Sequence, residues 1–389
     1  MSPLTRLIET LTAQVAEVSV QDAHRALVSG NTLIDIREKD EYKGGTPLGS
    51  NWISKGMLEM QIDQLAPDVK RPIYLMCGSG KRSLIGAASL LKMGYEQVYS
   101  IRGGFNEWKV NGLPFEVPNA LSDLDYERYK RHILIPEIGE KGQEKLSKSK
   151  VLVVGAGGIG SPVAWYLAAA GVGTIGIVDD DVVDRSNLQR QILHTEDAIG
   201  TLKVESAVQR LKALNPSVDV VPLPERLTVK NVDGIFSQYD VIVDGTDNFT
   251  TRYLISDACV KNNVPNVHGS VYRFEGQVSV FWPGSTMEHA PCYRCVYPSP
   301  PPPEMAPSCA ESGVLGVLPG TVGTLCATEV LKLLLGIGEN AIGLLINYNA
   351  LDLEFNVYHL SKNENCKYCR STAEEFPEYE TYAEYCTSG

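Results

Sequence analysis

The run Val151-Leu-Val-Val-Gly155-Ala-Gly157-Gly158-Ile-Gly160 constrains the fold more than any other feature of the chain. Its apolar residues predict a buried strand, its glycines a tight turn, and the stretch from Ser161 a helix. Strand, glycine turn and helix in that order open a parallel α/β sheet, where phosphates can approach the helix N-terminus. The alternation continues with a strand at Thr174 to Val178, a helix from Lys203, and a strand at Tyr239 to Val243. Asp179, about twenty residues beyond the turn, stands where a carboxylate accepts ribose hydroxyls. All of this suits an NAD enzyme as well as an ATP enzyme.

A second, smaller α/β pattern precedes it. Short β-rich runs at Thr32 to Ile36, Pro72 to Met76 and Gln97 to Ile101 alternate with helical stretches between about Val18 and Val110. Asn111-Gly-Leu-Pro-Phe-Glu-Val-Pro-Asn breaks both periods and reads as linker, and Ser122 to Ser149 is polar and helix-prone. Two domains are therefore expected within the 389 residues. Tyr297 to Pro307 is proline-rich and expected to be an extended loop. Residues 371–389 form an acidic, tyrosine-bearing tail expected to be disordered. A net charge of −12 argues against a nucleic-acid partner. No stretch reads as long and apolar enough for a membrane span, and the start lacks a secretory pattern. A cytoplasmic, reducing location is expected, so the nine cysteines are read as metal ligands or reactive thiols.

Cys77 ends an apolar strand in Tyr74-Leu-Met-Cys77-Gly-Ser-Gly-Lys81-Arg82-Ser83, and a helical run follows. Two glycines let the loop curl its N–H groups toward the sulfur, and the helix end, Lys81 and Arg82 add a positive field. Six residues from Cys77 to Arg82 suit a group smaller than phosphate, such as a terminal persulfide sulfur. With Leu33-Ile-Asp35-Ile-Arg37-Glu and Arg102-Gly-Gly-Phe-Asn-Glu-Trp108, this region resembles the rhodanese homology domain. The resemblance implies that Cys77 carries sulfur as a persulfide, with Arg82 in its site. Asp35 and Arg37 are read as a structural ion pair. Thr46-Pro47-Leu48-Gly49 stands where the family often has His-Ile-Pro-Gly.

Downstream of the glycine turn, Asp184-Arg-Ser186-Asn187-Leu188-Gln189-Arg190-Gln191 and Gly200-Thr-Leu-Lys203 place two cations beyond the second strand. A nicotinamide cofactor has no use for them, whereas a triphosphate losing pyrophosphate does. Asp247, in Asp244-Gly-Thr-Asp247-Asn248, falls past a strand end, where a carboxylate suits Mg²⁺ on phosphates. The set resembles the E1-like adenylyltransferases of the ThiF and MoeB type over about Asp125 to Arg370. The resemblance implies ATP contacts from Gly155, Gly157, Gly158, Gly160, Asp179, the Ser186 to Arg190 run, Lys203, Asp247 and Asn248. It also implies a homodimer in which Arg131 reaches the neighbouring subunit's site.

Cys292-Tyr-Arg-Cys295 and Cys366-Lys-Tyr-Cys369 can close four thiolates around one structural Zn²⁺. Cys309, after the proline-rich loop, is a candidate nucleophile; in the resembled family a cysteine here can bond to the activated carrier or to the sulfur donor. Cys259 and Cys326 lie in apolar helical runs and are read as core, while Cys386 has no assigned role.

The reading is an α/β protein in two parts. A rhodanese-like domain spans 15–115, a linker 116–124, and a Rossmann-like domain of the E1/ThiF type, with mixed sheet and zinc site, 125–370. The expected reaction is ATP-dependent adenylylation of a ubiquitin-like sulfur carrier ending in Gly-Gly, catalysed with Arg190 and Asp247. Sulfur transfer from Cys77, directly or through Cys309, then gives a thiocarboxylate. A cysteine desulfurase or thiosulfate would supply the persulfide. Three alternatives remain open. In one, the rhodanese domain only docks; in another, the carrier passes to protein lysines, which would need a further domain; the third is an NAD oxidoreductase.

Overall fold

A computed structural model describes residues 2–117, 121–288, 290–301, 313–371 and 375–379. The chain forms two compact units, Met1–Ala120 and Leu121–Gly389. The division falls within the stretch 116–124 that the sequence marks as linker.

In the first unit, β1 (Ala16–Val18), β2 (Thr32–Asp35), β4 (Asn51–Trp52), β5 (Ile73–Met76) and β6 (Val98–Ile101) make a parallel sheet of order β1-β6-β5-β2-β4. Two-residue β3 (Thr46–Pro47) and β7 (Phe115–Glu116) pair apart from it. Side chains alternate across a strand, so Leu33 and Met76 pack with Phe105 and Trp108 on one face. Ile34 and Leu75 meet Leu11, Ile62, Leu84 and Leu90 on the other. With both faces covered, the strands read as continuous apolar runs.

The second unit holds an eight-stranded sheet. Its strands are β8 (Lys150–Val154), β9 (Thr174–Val178), β10 (Asp219–Leu223), β11 (Val241–Asp244), β12 (Asn266–Tyr272), β13 (Glu275–Phe281), β14 (Leu344–Asn349) and β15 (Glu354–His359). The order is β10-β9-β8-β11-β12-β13-β14-β15. The first five strands run parallel and the last three add antiparallel pairs, giving the mixed sheet. β8 lies between β9 and β11, so the chain leaves it on one side and returns on the other. The crevice at the carboxyl ends of β8 and β11 is where such sheets bind ligands. Val151 and Val153 face the helices Gly160–Ala170, Lys203–Leu214 and Leu318–Leu335, while Leu152 and Val154 face Val232–Phe236 and Phe249–Lys261.

Two expectations are corrected. Helix Leu318–Leu335 is long and apolar enough to cross a membrane by length and composition, although none was expected. Here its Val322, Cys326 and Val330 are buried in the core, against the sheet. Within the tail expected to be disordered, Phe376 and Tyr379 pack against other parts of the unit. Phe376 lies against the cluster of Cys292, Cys366 and Tyr368, and the Tyr379 hydroxyl donates to Asp233 beneath Lys261. Aromatic burial and that hydrogen bond outweigh the acidic composition over this segment. Residues 372–374 and 380–389, with Cys386, lie outside the described residues.

Candidate active site

The glycine turn closes the crevice from β8. A Cβ on Gly160 would lie 1.8 Å from the Gly155 carbonyl oxygen, so only glycine lets the chain enter helix Gly160–Ala170 there. Asp179, at the end of β9, pins the turn by accepting the Ala156 N–H at 2.8 Å and also accepts the Asp181 N–H at 2.9 Å. Burial pushes the Asp179 pKa up; Lys203 and these two N–H bonds oppose it. His194 holds the turn from behind, with Nε2 2.9 Å from the Ala156 oxygen and Nδ1 2.9 Å from Ser206 Oγ. Burial lowers the His194 pKa, which keeps the ring neutral, a hydrogen-bonding strut and not a charge.

Gly155, Gly157, Gly158, Asp179, Arg190, Lys203, Asp247 and Asn248 all line one cleft. Lys203 is buried at the start of its helix and meets Asp181 at 2.9 Å. Arg185–Asn187 form a short 3-10 helix, capped by Leu188, in which Ser186 bonds Asp184 at 2.6 Å. The Ser186 carbonyl accepts from Arg190 at 3.2 Å, so the run serves to aim the guanidinium. Ser186, Asn187, Leu188, Gln189 and Gly160 are not among the residues lining the cleft. Asp247 is exposed, and the Asn248 side chain caps helix Phe249–Lys261 at the Thr251 N–H, 2.9 Å away. Arg131 lies exposed on helix Asp123–Ile133 and does not line this chain's own cleft.

Sequence reasoning left out Asp181, Gln191, Thr246 and Arg252, which also line the cleft. Gln191 stood in the quoted run beside Arg190, and that adjacency was the available signal. It is buried with its Oε1 unpartnered, an acceptor free for a ligand donor.

In the first unit Cys77 is fully buried at the end of β5. Its Sγ accepts the Gly80 N–H at 3.2 Å and lies 3.6 Å from Ser83 Oγ. One N–H reaches the sulfur where a ring of amides was expected. Arg82 is engaged by Glu41 through two bonds at 2.6 Å, which raise its pKa further. The Arg102 to Trp108 motif is explained by contact. A Cβ on Gly104 would meet the Cys77 carbonyl oxygen at 2.1 Å, and that oxygen accepts the Phe105 N–H at 2.8 Å. Asp35 and Arg37 form the buried pair, with Arg37 Nη2 2.6 Å from Asp35 Oδ2. Thr46, in the departing stretch, donates to the same oxygen at 3.0 Å.

Cys292, Cys295, Cys366 and Cys369 converge, with all four Sγ atoms within 4.8 Å of one another. The sulfurs of Cys292 and Cys295, Cys292 and Cys366, and Cys295 and Cys369 stand 3.3 to 3.7 Å apart, too far for disulfides and close to the roughly 3.8 Å edge of a tetrahedron with metal–sulfur bonds of about 2.3 Å. The donor set fits a structural metal. Cys259 and Cys326 are fully buried, and burial raises both thiol pKa values. Cys309 lies outside the described residues.

Residues 129–368 match the model of the ThiF family, well over half of the sequence. The chain belongs to the ThiF family. Residues 19–111 match the rhodanese-like domain. This ThiF-family chain is 47% identical over 267 residues to the SAMP-activating enzyme E1 of Haloferax volcanii, covering 69% of this chain and 97% of that one. It is 50% identical over 248 residues to the probable adenylyltransferase/sulfurtransferase MoeZ of Mycobacterium tuberculosis, and 46% identical over 266 residues to the adenylyltransferase and sulfurtransferase MOCS3 of Bos taurus. Those matches cover 64% and 68% of this chain but 63% and 58% of those proteins, less than two thirds of their length. The fold is shared with E. coli MccB, whose crystal structure with ATP aligns at TM-score 0.54 and 22% identity, covering 68% of this chain and 80% of that one.

Proposed function

We propose that the chain adenylylates the C-terminal glycine carboxylate of a ubiquitin-like sulfur carrier and converts it to a thiocarboxylate. The observation that carries this reading is the convergence of Arg190, Lys203 and Asp247 on the glycine turn, in a chain that also holds Cys77 at a strand-to-helix loop. A nicotinamide enzyme would have no use for those cations. The names of the relatives in Haloferax, Mycobacterium and cattle point the same way.

The chemistry follows from charge. The carrier carboxylate is ionised at neutral pH, so it attacks the α-phosphorus of ATP without a general base, and pyrophosphate leaves. Arg190 and Lys203 neutralise the charge that develops on the phosphates, and positioning supplies the rest. Asp247 is assigned to hold Mg²⁺, which would add to that neutralisation. The terminal sulfur of a Cys77 persulfide then attacks the acyl carbon and AMP leaves, forming an acyl disulfide. A second thiol cleaves that disulfide, releases the thiocarboxylate and remains in a disulfide with Cys77. Cys309 is the candidate for that thiol.

The four-cysteine set is assigned to Zn²⁺, closing the knuckle that joins Cys292 to Cys369 and leaving no open position. A homodimer with Arg131 acting across the interface is supported by that residue's exposure beside the outward-facing Leu124, Leu134 and Ile135. A cytoplasmic setting, with a cysteine desulfurase or thiosulfate as sulfur source, completes the proposal. Its test is ATP–pyrophosphate exchange with carriers ending in Gly-Gly. Exchange is expected only with carrier and ATP together and is lost in Asp247→Ala. Exchange in no member of a carrier panel overturns it.

A further inference from the structure

His268 and Asp244 form a buried pair behind the cleft floor. They stand opposite each other in the parallel register of β11 and β12, with Nδ1 2.8 Å from Asp244 Oδ2. Their side chains are 3% and 1% exposed. An ionised carboxylate only accepts, so the shared hydrogen is carried on Nδ1. Burial would raise the Asp244 pKa, but the bond from His268 and the charge of Arg252 outweigh it and hold the carboxyl below its usual range. The other oxygen, Oδ1, accepts the Thr246 N–H at 3.1 Å and the Thr246 hydroxyl at 2.7 Å. The Thr246 carbonyl accepts from Arg252 Nε at 3.2 Å and Nη2 at 2.8 Å. Thr246 lines the cleft and is followed at once by Asp247, whereas His268 does not line it. The ring of His268 packs edge-on against Tyr293, with centroids 5.2 Å apart.

We propose that the Asp244–His268 pair is a positioning device for the nucleotide, fixing Thr246 by two bonds and thereby setting where Asp247 meets the phosphates. His268 is a positioning residue that touches no substrate. Its part is to keep Asp244 oriented with Oδ1 turned toward Thr246. Without the Nδ1 donor, the carboxylate can rotate and the Thr246–Asn248 loop loses its fixed register. The inference rests on assigning this cleft to a nucleotide.

The geometry separates three substitutions. The amide nitrogen of asparagine falls where Nδ1 was, that of glutamine falls one carbon further out, and leucine offers no donor. In the full chain, equilibrium binding of ATP with Mg²⁺ and carrier-dependent pyrophosphate exchange are measured together. His268→Leu is expected to weaken ATP binding about tenfold, as loss of one charge-assisted bond would, with the KM for carrier changed less than about twofold. His268→Asn restores ATP binding to within about threefold of the parent, and His268→Gln does not. Should the leucine variant fail to fold, the asparagine–glutamine difference decides. The proposal is overturned if folded His268→Leu binds ATP like the parent, if asparagine is as poor as leucine, or if the three losses merely track melting temperature. A parent protein that binds no ATP overturns both this inference and the nucleotide assignment. One that binds ATP but supports no exchange overturns adenylylation alone, and the binding comparison still decides the role of His268.

Discussion

Arg294 lies between the second and last residues of Cys292-Tyr-Arg-Cys295 and reaches into the core. Its guanidinium makes two bonds to Asp257, at 2.6 and 2.8 Å, and the side chains are 4% and 3% exposed. It also lies 4.8 Å from the ring centre of Tyr253 and 4.2 Å from that of Tyr368. Asp257→Leu removes the carboxylate and leaves the cation buried. Breaking such a pair costs about 3–5 kcal/mol, and the two aromatic faces, up to ~2 kcal/mol each when desolvated, hold the loss toward the lower end. At about 2–4 °C per kcal/mol for a unit of this size, the melting temperature should fall by about 6–12 °C. Replacing both partners by apolar groups removes charge and partner together, so Asp257→Leu/Arg294→Met should melt within about 4 °C of the parent. Differential scanning calorimetry of the metal-loaded full chain reads the parent, the single variants Asp257→Leu and Arg294→Met, and the double variant. A single-variant shift below about 2 °C, or a double variant as unstable as the sum of the singles, would refute the argument that this pair is a buried, coupled unit.

Other perturbations separate the two chemistries. Lys203→Met should lower pyrophosphate exchange on the order of 10²-fold while retaining the metal, measured by exchange kinetics and metal content. Cys77→Ser should abolish thiocarboxylate formation and leave carrier-dependent exchange within about twofold; a parallel loss of exchange would contradict separate sites. Gly104→Ala places a Cβ at 2.1 Å from the Cys77 carbonyl oxygen at a φ of +58°. It should cost at least ~1–2 kcal/mol in the first unit and slow persulfide formation on Cys77, read by intact mass after donor treatment.

The sequence was most legible where short-range geometry does the work. The glycine turn and Cys77-Gly-Ser-Gly-Lys-Arg each carry their chemistry within ten residues, and each Cys-x-x-Cys pair marks half of a metal site. The contacts that support them join distant elements and leave no local mark. His194 reaches Ala156 across 38 positions, and His268 reaches Asp244 across 24. Helix Leu318–Leu335 shows the limit of reading hydropathy alone, since a helix packed between a sheet and other helices is apolar enough to meet the composition of a membrane span. The tail misled in the opposite sense. Its acidic composition hid two aromatic anchors, Phe376 and Tyr379, whose partners Cys366 and Asp233 belong to other parts of the unit.

The central claim is that one chain both activates a carrier carboxylate and delivers sulfur to it. The most direct measurement is the intact mass of a Gly-Gly carrier after incubation with ATP, Mg²⁺ and protein whose Cys77 has been preloaded with isotopically labelled persulfide sulfur, a thiol reductant being added only after the ATP step to cleave the acyl disulfide. The account predicts a carrier carrying one labelled sulfur in place of a carboxylate oxygen, formed only with ATP and absent with Cys77→Ser. A carrier that accumulates as the adenylate but takes no label from Cys77 would contradict it and reduce the rhodanese-like domain to a docking module.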